Sequence, residues 1–395
     1  MKKDIAIIVQ KLNGGGAERT ASNLSMILQD NYNVHLIVFD GTEIKYPYAG
    51  KLYDLKMPPA SGKLGKLKNM FARVSEIKKI KRANNIIASI SLMAGANLVN
   101  VMSKQNDRVI TSVRNQMSQS RAKTKLQKIG NILQMKYIAQ KSAYVVALSK
   151  GVEKDLVENF SVPQGKARTI YNPCDGEMLL SKAEVHAEKV SEMVEHSVTT
   201  MGRFTEQKGQ WHLIRAFKAV LESVPDAKLY ILGEGPLEGK LKELVHDLQL
   251  DEHIIFLGFV EAPHAFIMKS QVFAFPSLFE GLGNVVLEAL ACGTPVVSTD
   301  CYSGPREILA PGTEVKEKLN EIEYAQFGIL TSVGDKGQFE AGTPITVPEK
   351  QMADAIIELL VNDKIRKKYH LAALERIKDF SPESITIDWM RLIEG

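Results

Sequence analysis

Two glutamates eight residues apart, Glu280 and Glu288, have the side chains and the spacing to hold a polar ligand. Pro276 follows a predicted strand, and Gly293 ends a helix that is predicted to begin near Asn284. Glu280 then lies in the loop before this helix and Glu288 about one turn inside it. The two carboxylates can bracket a ligand laid across the helix start, and this placement suits binding better than the opposed acid and base of a hydrolase.

The start of the same predicted helix has groups that bind a phosphate and a ribose. Backbone N–H groups in a first helical turn lack partners inside the helix and attract an anion. A carboxylate accepts hydrogen bonds from both hydroxyls of a ribose. We therefore expect a nucleotide to contact the two glutamates and the residues after the first of them: Glu280, Gly281, Leu282, Gly283, Asn284, Val285 and Glu288.

Two cations follow another predicted strand, at 198–201. Arg203 and Lys208 lie between Gly202 and Gly209, in a loop that precedes a predicted helix. When a diphosphate departs, negative charge accumulates on its oxygens, and cations aimed there stabilise the transition state more than the ground state. We therefore predict Arg203 and Lys208 as catalytic residues, together with Glu280 from the pair of glutamates that can bracket the ligand.

A glycine-rich loop follows the first predicted strand, at 5–9. Because glycines before a helix let backbone N–H groups approach an anion, we expect Gly15 and Gly16 to contact the ligand. A tight turn without a ligand and a dinucleotide-binding fingerprint remain alternatives. Asp40 at the end of the second strand favours the fingerprint, whereas Arg19 at its third glycine position opposes it.

Short apolar runs alternate with helical stretches along the whole chain, a pattern typical of parallel α/β sheets. The runs are 5–9, 34–39, 86–90, 109–113, 144–148 and 168–171, and then 198–201, 228–232, 254–257, 272–275, 295–298 and 328–330. Six runs in each half predict two similar Rossmann-like domains. We predict an N-terminal domain at 1–178, a linker at 179–196, a C-terminal domain at 197–380 and a C-terminal helix at 381–395.

The composition is typical of a globular protein in a reducing compartment. The 395 residues are 45% hydrophobic, and the three cysteines have no CxxC spacing, which argues against a disulfide framework and a zinc knuckle. The first twelve residues lack the apolar core of a signal peptide. The uncharged stretch 83–103 contains several asparagines, so we expect a buried strand and helix there. These features predict a cytoplasmic protein.

Positive charge is concentrated in the first half of the chain. Residues 1–185 contain 29 Lys and Arg against 14 Asp and Glu, and the remainder contains 21 against 32. Attraction between two lobes is one explanation, and an anionic membrane or lipid diphosphate is another. No basic motif is interleaved with aromatic residues, so we expect no nucleic-acid partner.

One segment in the first half is predicted to be a basic amphipathic helix, from Leu64 to Ile80. An ordinary packed helix with a solvated basic face is the alternative. The basic residues in and beside it include Lys66, Lys68, Lys78, Lys79, Lys81 and Arg82. We expect this helix to contact the membrane surface or the diphosphate of a lipid-linked acceptor.

The motifs together resemble family 4 of the retaining glycosyltransferases, which have the GT-B architecture of two Rossmann-like parallel-sheet lobes facing a cleft. The C-terminal helix can cross back to the first lobe. The resemblance covers essentially the whole chain: the glycine-rich loop, Tyr171-Asn172-Pro173, Gly202-Arg203 with Lys208, Gly233-Glu234-Gly235-Pro236, and the pair Glu280 and Glu288. The opening Gly15-Gly16-Ala17-Glu18-Arg19 and Arg114-Asn115 are similar to members that extend lipid-linked sugars.

The resemblance implies a role for each candidate residue. Arg203 and Lys208 would hold the donor diphosphate, Glu288 the ribose and Glu280 the transferring sugar, while backbone groups around Val260 would hold the base. The donor would be a nucleotide diphosphate sugar, UDP by family frequency, and the acceptor a glycan or polyprenyl-diphosphate-linked sugar. Transfer of a hexose or N-acetylhexosamine would proceed with retention, without a cofactor or a divalent metal. The sequence contains no Asp-x-Asp motif.

Two alternative functions remain open at this point. One is an NAD-dependent oxidoreductase that uses the segment from Gly14 to Asp40. The other is a sugar-nucleotide binding protein without catalytic activity, which the presence of both cations and both glutamates disfavours.

Overall fold

The computed structural model describes residues 2–118, 124–190, 192–313, 319–337 and 339–395. The chain divides into two compact units. Unit 1 contains the residues up to Pro173 together with Pro382–Gly395, and unit 2 is Cys174–Ser381. Unit 1 has 29 Lys and Arg against 14 Asp and Glu, whereas unit 2 has 21 against 32. The division of charge therefore coincides with the division into units.

Within the described residues, unit 1 contains a seven-stranded parallel sheet. Its strands are β1 (Lys3–Val9), β2 (Tyr32–Val38), β3 (Lys51–Asp54), β4 (Ala88–Leu92), β5 (Arg108–Val113), β6 (Tyr144–Ala147) and β7 (Ala167–Thr169). Their order across the sheet is β3-β2-β1-β4-β5-β6-β7. The sequence misses β3, because a strand of four residues with charged ends has no apolar run. Pairing with β2 at the sheet edge stabilises it instead.

Helices cover both faces of this sheet. They are α1 (Gly16–Leu28), α2 (Gly62–Ala83), α3 (Ala94–Met102), α4 (Lys125–Lys141) and α5 (Lys150–Phe160). Successive strand residues point to opposite faces. Ile7 of β1 therefore joins the core that contains Leu24 of α1, and Ile8 joins the core that contains Val74 of α2 and Val99 of α3.

Unit 2 repeats this architecture, with a seven-stranded sheet in the part of the chain described. Its strands are β8 (Ser197–Met201), β9 (Lys228–Leu232), β10 (Ile254–Gly258), β11 (Val272–Phe275), β12 (Val296–Thr299), β13 (Glu323–Tyr324) and β14 (Ile329–Thr331). Their order is β10-β9-β8-β11-β12-β14-β13. The sequence misses β13, a two-residue antiparallel edge strand that is too short to form a pattern.

Unit 2 has eight α-helices in the described chain, and some of them pack around a core that contains Trp211, Phe217 and Ile356. The eight helices are α6 (Gly176–Val185), α7 (Gln210–Ser223), α8 (Glu238–Asp247), α9 (Pro263–Lys269), α10 (Asn284–Ala291), α11 (Pro305–Leu309), α12 (Val347–Val361) and α13 (Asp363–Arg376). A buried ionic contact joins two of them, because Oε1 of Glu349 on α12 lies 2.8 Å from both Nδ1 of His212 and Nε of Arg215 on α7.

The C-terminal helix belongs to unit 1. Helix α14 (Pro382–Glu394) follows the last residues of unit 2, and its apolar stripe packs in the core of unit 1 beside α1. Trp389 and Ile385 are almost fully buried there. The prediction that this helix crosses back to the first lobe is confirmed.

The segment predicted as a linker, 179–196, differs in the structure. Helix α6 and the described residues after it belong to unit 2, where Leu179, Val190 and Met193 are buried. These apolar residues are widely separated among Glu and Lys, so the sequence has no visible core pattern. The stretch 83–103 forms β4 and α3. In the described chain, no helix combines the length and the apolar character needed to cross a membrane.

Candidate functional site

Unit 2 places the predicted cations and one predicted glutamate at one edge of its sheet. β8 lies between β9 and β11, so the chain runs toward one side of the sheet after β8 and toward the other after β11. At such a switch point, α/β proteins bind ligands beyond the carboxyl ends of the strands. Arg203 and Lys208 follow β8, and Glu280 follows β11. The loops that contain these three residues therefore lie at the switch point.

Lys208 and Glu280 form an ion pair. Nζ of Lys208 lies 2.6 Å from Oε1 of Glu280, and the side chains are 18% and 8% exposed. The ammonium also lies 5.1 Å from the centroid of the Phe275 ring. Since the aliphatic part of Lys208 packs over Gly202, which has no side chain to displace it, the charge is held at the carboxyl edge of the sheet.

Close backbone contacts fix the two loops that carry this ion pair. Gly209 has a φ of +62°, and a Cβ there would overlap the carbonyl oxygen of Pro276. The backbone N–H of Leu278 donates to the carbonyl of Gln207 at 2.8 Å. The side-chain amide of Gln207 donates to the carbonyl of Phe279 at 3.0 Å. These contacts set the distance between Lys208 and Glu280.

Glu288 is paired with a residue that the sequence did not indicate. It is the fifth residue of α10, whose N-cap is Gly283. Oε2 of Glu288 lies 3.2 Å from Nε2 of His264, and the two side chains are 9% and 11% exposed. His264 lies in the first turn of α9, where a single histidine after a proline gives no recognisable signal. It fixes one carboxylate oxygen of Glu288 and thereby sets the direction of the other.

Arg203 and the start of α10 are accessible to a ligand. The side chain of Arg203 is exposed and has no hydrogen bond or ion pair among the described residues. Asn284 is exposed and Val285 is half-buried. The backbone N–H of Val286, in the first turn of α10, already donates to the carbonyl of Gly283 at 2.9 Å. The structure therefore brings Lys208 and Glu280 into contact and pairs Glu288 with His264, but it pairs Arg203 with neither glutamate.

The segment predicted to hold a base follows β10. Gly258 turns the chain with a φ of +65°, and the backbone N–H of Phe259 donates to Oε1 of Glu234 at 3.3 Å. Val260 is half-buried against the core that contains Tyr230. Polar backbone groups of this segment thus lie beside the carboxyl end of β10.

Two free thiols lie near the two glutamates. Burial, reinforced by the charge of Glu288, raises the pKa of Cys292 to about 12. Burial and the charge of Glu280 raise the pKa of Cys301 well above its usual value. Both thiols therefore stay protonated near neutral pH and are poor nucleophiles. Across the described ranges, no group of three or more His, Cys, Asp or Glu residues is arranged to hold a metal ion.

The glycine-rich loop of unit 1 already has an acidic partner. Oε2 of Glu18 accepts hydrogen bonds from the backbone N–H groups of Gly14 at 3.0 Å and Gly15 at 2.5 Å. An anion near Gly15 and Gly16 would have to displace this carboxylate. Asp40, the acid that would hold a ribose in a dinucleotide site, instead forms an ion pair of 2.9 Å with Lys11. Neither feature favours dinucleotide binding.

Two helices on the same face of unit 1 expose apolar side chains among lysines. On α2 these are Leu64, Leu67 and Phe71, beside the exposed Lys66 and Lys68. On α4 they are Leu126, Ile129 and Leu133, and the helix contains no Asp or Glu. We call α2 and α4 the basic–apolar helices. Only α2 was predicted from the sequence.

One of the predicted surface lysines is buried. Nζ of Lys81 lies 2.8 Å from Oδ2 of Asp107, and both side chains are almost fully out of solvent. It also donates to Asn100 at 2.7 Å. The prediction that Lys81 lies on the basic face of the helix is therefore wrong, because Lys81 lies on the side of α2 that packs against the rest of unit 1.

Two family models match consecutive parts of the chain. Residues 14–177 match the model described as Glycosyltransferase Family 4, and residues 181–326 match the model described as Glycosyl transferases group 1. The two matches meet close to the boundary between the units. The Glycosyltransferase Family 4 model therefore matches mainly unit 1, and the Glycosyl transferases group 1 model matches part of unit 2.

Relatives with the same activity class align with the chain. The uncharacterized glycosyltransferase MJ1059 of Methanocaldococcus jannaschii is 37% identical over 270 residues, which are 67% of this chain and 66% of that protein. The N-acetylgalactosamine-N,N'-diacetylbacillosaminyl-diphospho-undecaprenol 4-alpha-N-acetylgalactosaminyltransferase of Campylobacter jejuni is 29% identical, with 99% of each chain covered. Among solved structures, Anabaena Alr3699/HepE in complex with UDP has a TM-score of 0.75 at 16% identity, with 100% of each chain covered, which supports the fold alone. The chain is a glycosyltransferase that belongs to family 4 and has the GT-B fold of two Rossmann-like parallel-sheet domains.

Proposed function

We propose that the protein transfers a hexose or N-acetylhexosamine from a UDP-sugar to a sugar acceptor carried on a polyprenyl diphosphate, with retention and without a divalent metal. The Campylobacter relative is named for a diphospho-undecaprenol-linked substrate and an alpha linkage. HepE was solved with UDP. By this proposal the enzyme works in cell-surface polysaccharide or glycoconjugate synthesis.

The ion pair of Lys208 with Glu280 at the switch point of unit 2 carries the proposal. Nζ of Lys208 lies 2.6 Å from Oε1 of Glu280, and the two residues follow the carboxyl ends of β8 and β11, where a diphosphate would meet a fixed cation. Arg203 adds a second cation in the same loop, with no ion-pair partner in the part of the chain that the structure describes. The N–H groups at the start of α10 add donors for phosphate oxygens. We do not assign Gly15 and Gly16 to this donor site, because the N–H of Gly15 already donates to Glu18.

The chemistry follows from these groups. The bond between the anomeric carbon and the β-phosphate oxygen breaks, and a bond to the acceptor hydroxyl oxygen forms on the same face. The hydroxyl proton passes to the departing oxygen. Arg203 and Lys208 stabilise the charge that develops there. Glu280 accepts a hydrogen bond from a hydroxyl of the transferring sugar, Glu288 accepts hydrogen bonds from the ribose hydroxyls, and backbone groups near Val260 hold the base.

A donor screen tests this function. The protein is incubated with a series of UDP-sugars and GDP-sugars and a prenyl-diphosphate-linked sugar, and the product is analysed by mass spectrometry and proton NMR. We expect one UDP-sugar to extend the acceptor with an alpha linkage, at the same rate with and without EDTA. A beta linkage would contradict retention. Binding of NADH without turnover of any sugar nucleotide would contradict the function itself.

We also propose that unit 1 contacts an anionic membrane, on its cytoplasmic face, through the basic–apolar helices. Exposed apolar side chains on a basic helix insert at a lipid interface, and each basic residue near the surface contributes about 1 kcal/mol. Unit 1 contains 29 basic and 14 acidic residues, and this net positive charge also attracts an anionic membrane.

Vesicle sedimentation tests the membrane contact. Lys66→Glu with Lys68→Glu should release the protein from vesicles rich in phosphatidylglycerol, whereas neither protein should bind phosphatidylcholine vesicles. The matched control is Lys367→Glu with Lys368→Glu, which reverses two exposed lysines on α13 of unit 2. Equal sedimentation of the two double variants would contradict the proposal.

A further inference from the structure

Arg114 in unit 1 is a cation with no acidic partner among the described residues. It follows β5, and its guanidinium donates to three neutral oxygens: Oγ of Ser112 at 3.3 Å, Oγ1 of Thr20 at 3.3 Å, and Oδ1 of Asn172. Burial lowers the pKa of Arg114 to about 9, and no carboxylate among the described residues offsets this effect. At neutral pH the side chain therefore remains charged.

Two cations of the described chain that are almost fully buried have carboxylate partners, whereas the half-buried Arg114 has none there. Lys81 is paired with Asp107 at 2.8 Å, and Arg306 is paired with Asp300 at 2.6 Å. Such pairing is expected, because removing a cation from water costs free energy that an opposite charge recovers. A guanidinium has five N–H groups, of which Arg114 uses three. Within the described chain, two N–H groups of Arg114 thus have no acceptor and are available to an anion.

Three elements orient Arg114 at the carboxyl edge of the sheet. Ser112 lies near the end of β5, Thr20 lies on α1, which follows β1, and Asn172 lies beyond β7. Thr20 and Asn172 are themselves buried. The switch point of unit 1 lies between β1 and β4, next to β5. Arg114 is therefore fixed near the part of an α/β sheet where ligands bind.

We propose that Arg114, oriented by Thr20 and Asn172, binds a phosphoryl group of the acceptor's diphosphate on unit 1. Arginine forms strong charge-assisted hydrogen bonds with phosphate oxygens, and a phosphate offers this guanidinium an acceptor of opposite charge. The inference rests on the proposed function in the choice of a diphosphate-bearing acceptor. The donor also carries a diphosphate, so the experiment must separate these two sources.

Calorimetric titration of the full chain with geranylgeranyl diphosphate and with UDP makes this separation. Arg114→Gln should weaken the binding of geranylgeranyl diphosphate by about tenfold or more, since a charged hydrogen bond is lost, and leave the Kd for UDP unchanged. The matched control is Arg168→Gln, an exposed arginine of β7 in the same unit. It should change neither affinity. Geranylgeraniol, which has no phosphate, should not distinguish the variants.

A second variant places a negative charge beside Arg114 from within the protein. Asn172→Asp places a carboxylate beside the guanidinium, so it should raise the melting temperature and weaken the binding of geranylgeranyl diphosphate. A purely structural arginine would give the first effect without the second. This variant also decides the question if Arg114→Gln folds poorly.

The outcomes are distinguishable. If Arg114→Gln and Asn172→Asp both bind geranylgeranyl diphosphate as tightly as the wild-type protein does, the inference is overturned. A loss confined to UDP would also overturn it, by assigning Arg114 to the donor. If UDP fails to bind the wild-type protein, the proposed function fails, and the comparison with geranylgeranyl diphosphate still decides the role of Arg114.

Discussion

Replacing Lys208 with methionine removes the cation from an ion pair that is nearly out of solvent. Methionine keeps an apolar chain over Gly202 and beside Phe275, so the main change is the loss of charge. Glu280, 8% exposed, then loses an ammonium at 2.6 Å. Breaking a buried pair costs about 3–5 kcal/mol, and the 18% exposure of Lys208 favours the lower end of this range. Loss of one group that stabilises a developing charge lowers kcat by about 100- to 1,000-fold.

A double-mutant cycle with Glu280→Gln separates stability from catalysis. Adding Glu280→Gln should restore about 1–3 kcal/mol of unfolding free energy to Lys208→Met, because no buried charge remains. It should not restore turnover. Urea unfolding measures the first quantity and UDP release the second. The control is Lys242→Met, whose lysine is 54% exposed and pairs with Glu238 at 2.7 Å, with an expected loss below about 1 kcal/mol. Turnover of Lys208→Met equal to that of wild type would refute the reasoning.

Three further predictions concern other side chains of unit 2. Burial acts to raise the pKa of Glu349, but hydrogen bonds, led by that from His212, outweigh it and hold the pKa at about 2. Since this value lies below the usual 4.5, the stabilisation is complete above pH 4.5 and is lost as the pH falls toward 2. The unfolding free energy should drop by about 3 kcal/mol over this window, less so in Glu349→Gln, as urea titrations at each pH would measure. His264→Gln should raise the Kd for UDP by about tenfold while circular dichroism stays unchanged, because Glu288 loses its orienting partner; calorimetry checks this, and an unchanged Kd would count against it. Cys292 should react with a thiol reagent only after unfolding, and rapid reaction of the native protein near pH 7 would contradict its burial.

The sequence predicts well what depends on short-range pattern. Each predicted strand lies within two residues of an observed one, because β-branched runs bounded by glycine and charged residues are local signals. Arg203, Lys208 and Glu280 could be placed at strand ends for the same reason. In a parallel sheet, loops that leave carboxyl ends share one edge. The approach of Lys208 to Glu280 therefore follows from strand placement and strand order.

Other features depend on contacts that have no local signature. The partner of Glu288 is His264, 24 residues earlier, and the partner of Lys81 is Asp107, 26 residues later. Only the folded helices bring these residues together. Glu18 is different, because a glutamate three residues after the N-cap is a local capping signal that is present in the sequence.

A crystal structure of the protein with bound UDP tests the central claim most directly. The claim predicts the β-phosphate oxygens within hydrogen-bond distance of Arg203 and Lys208, and the ribose hydroxyls on Glu288. A nucleotide bound instead at the glycine-rich loop of unit 1, with its ribose on Asp40 and with Lys208 still paired only to Glu280, would contradict it.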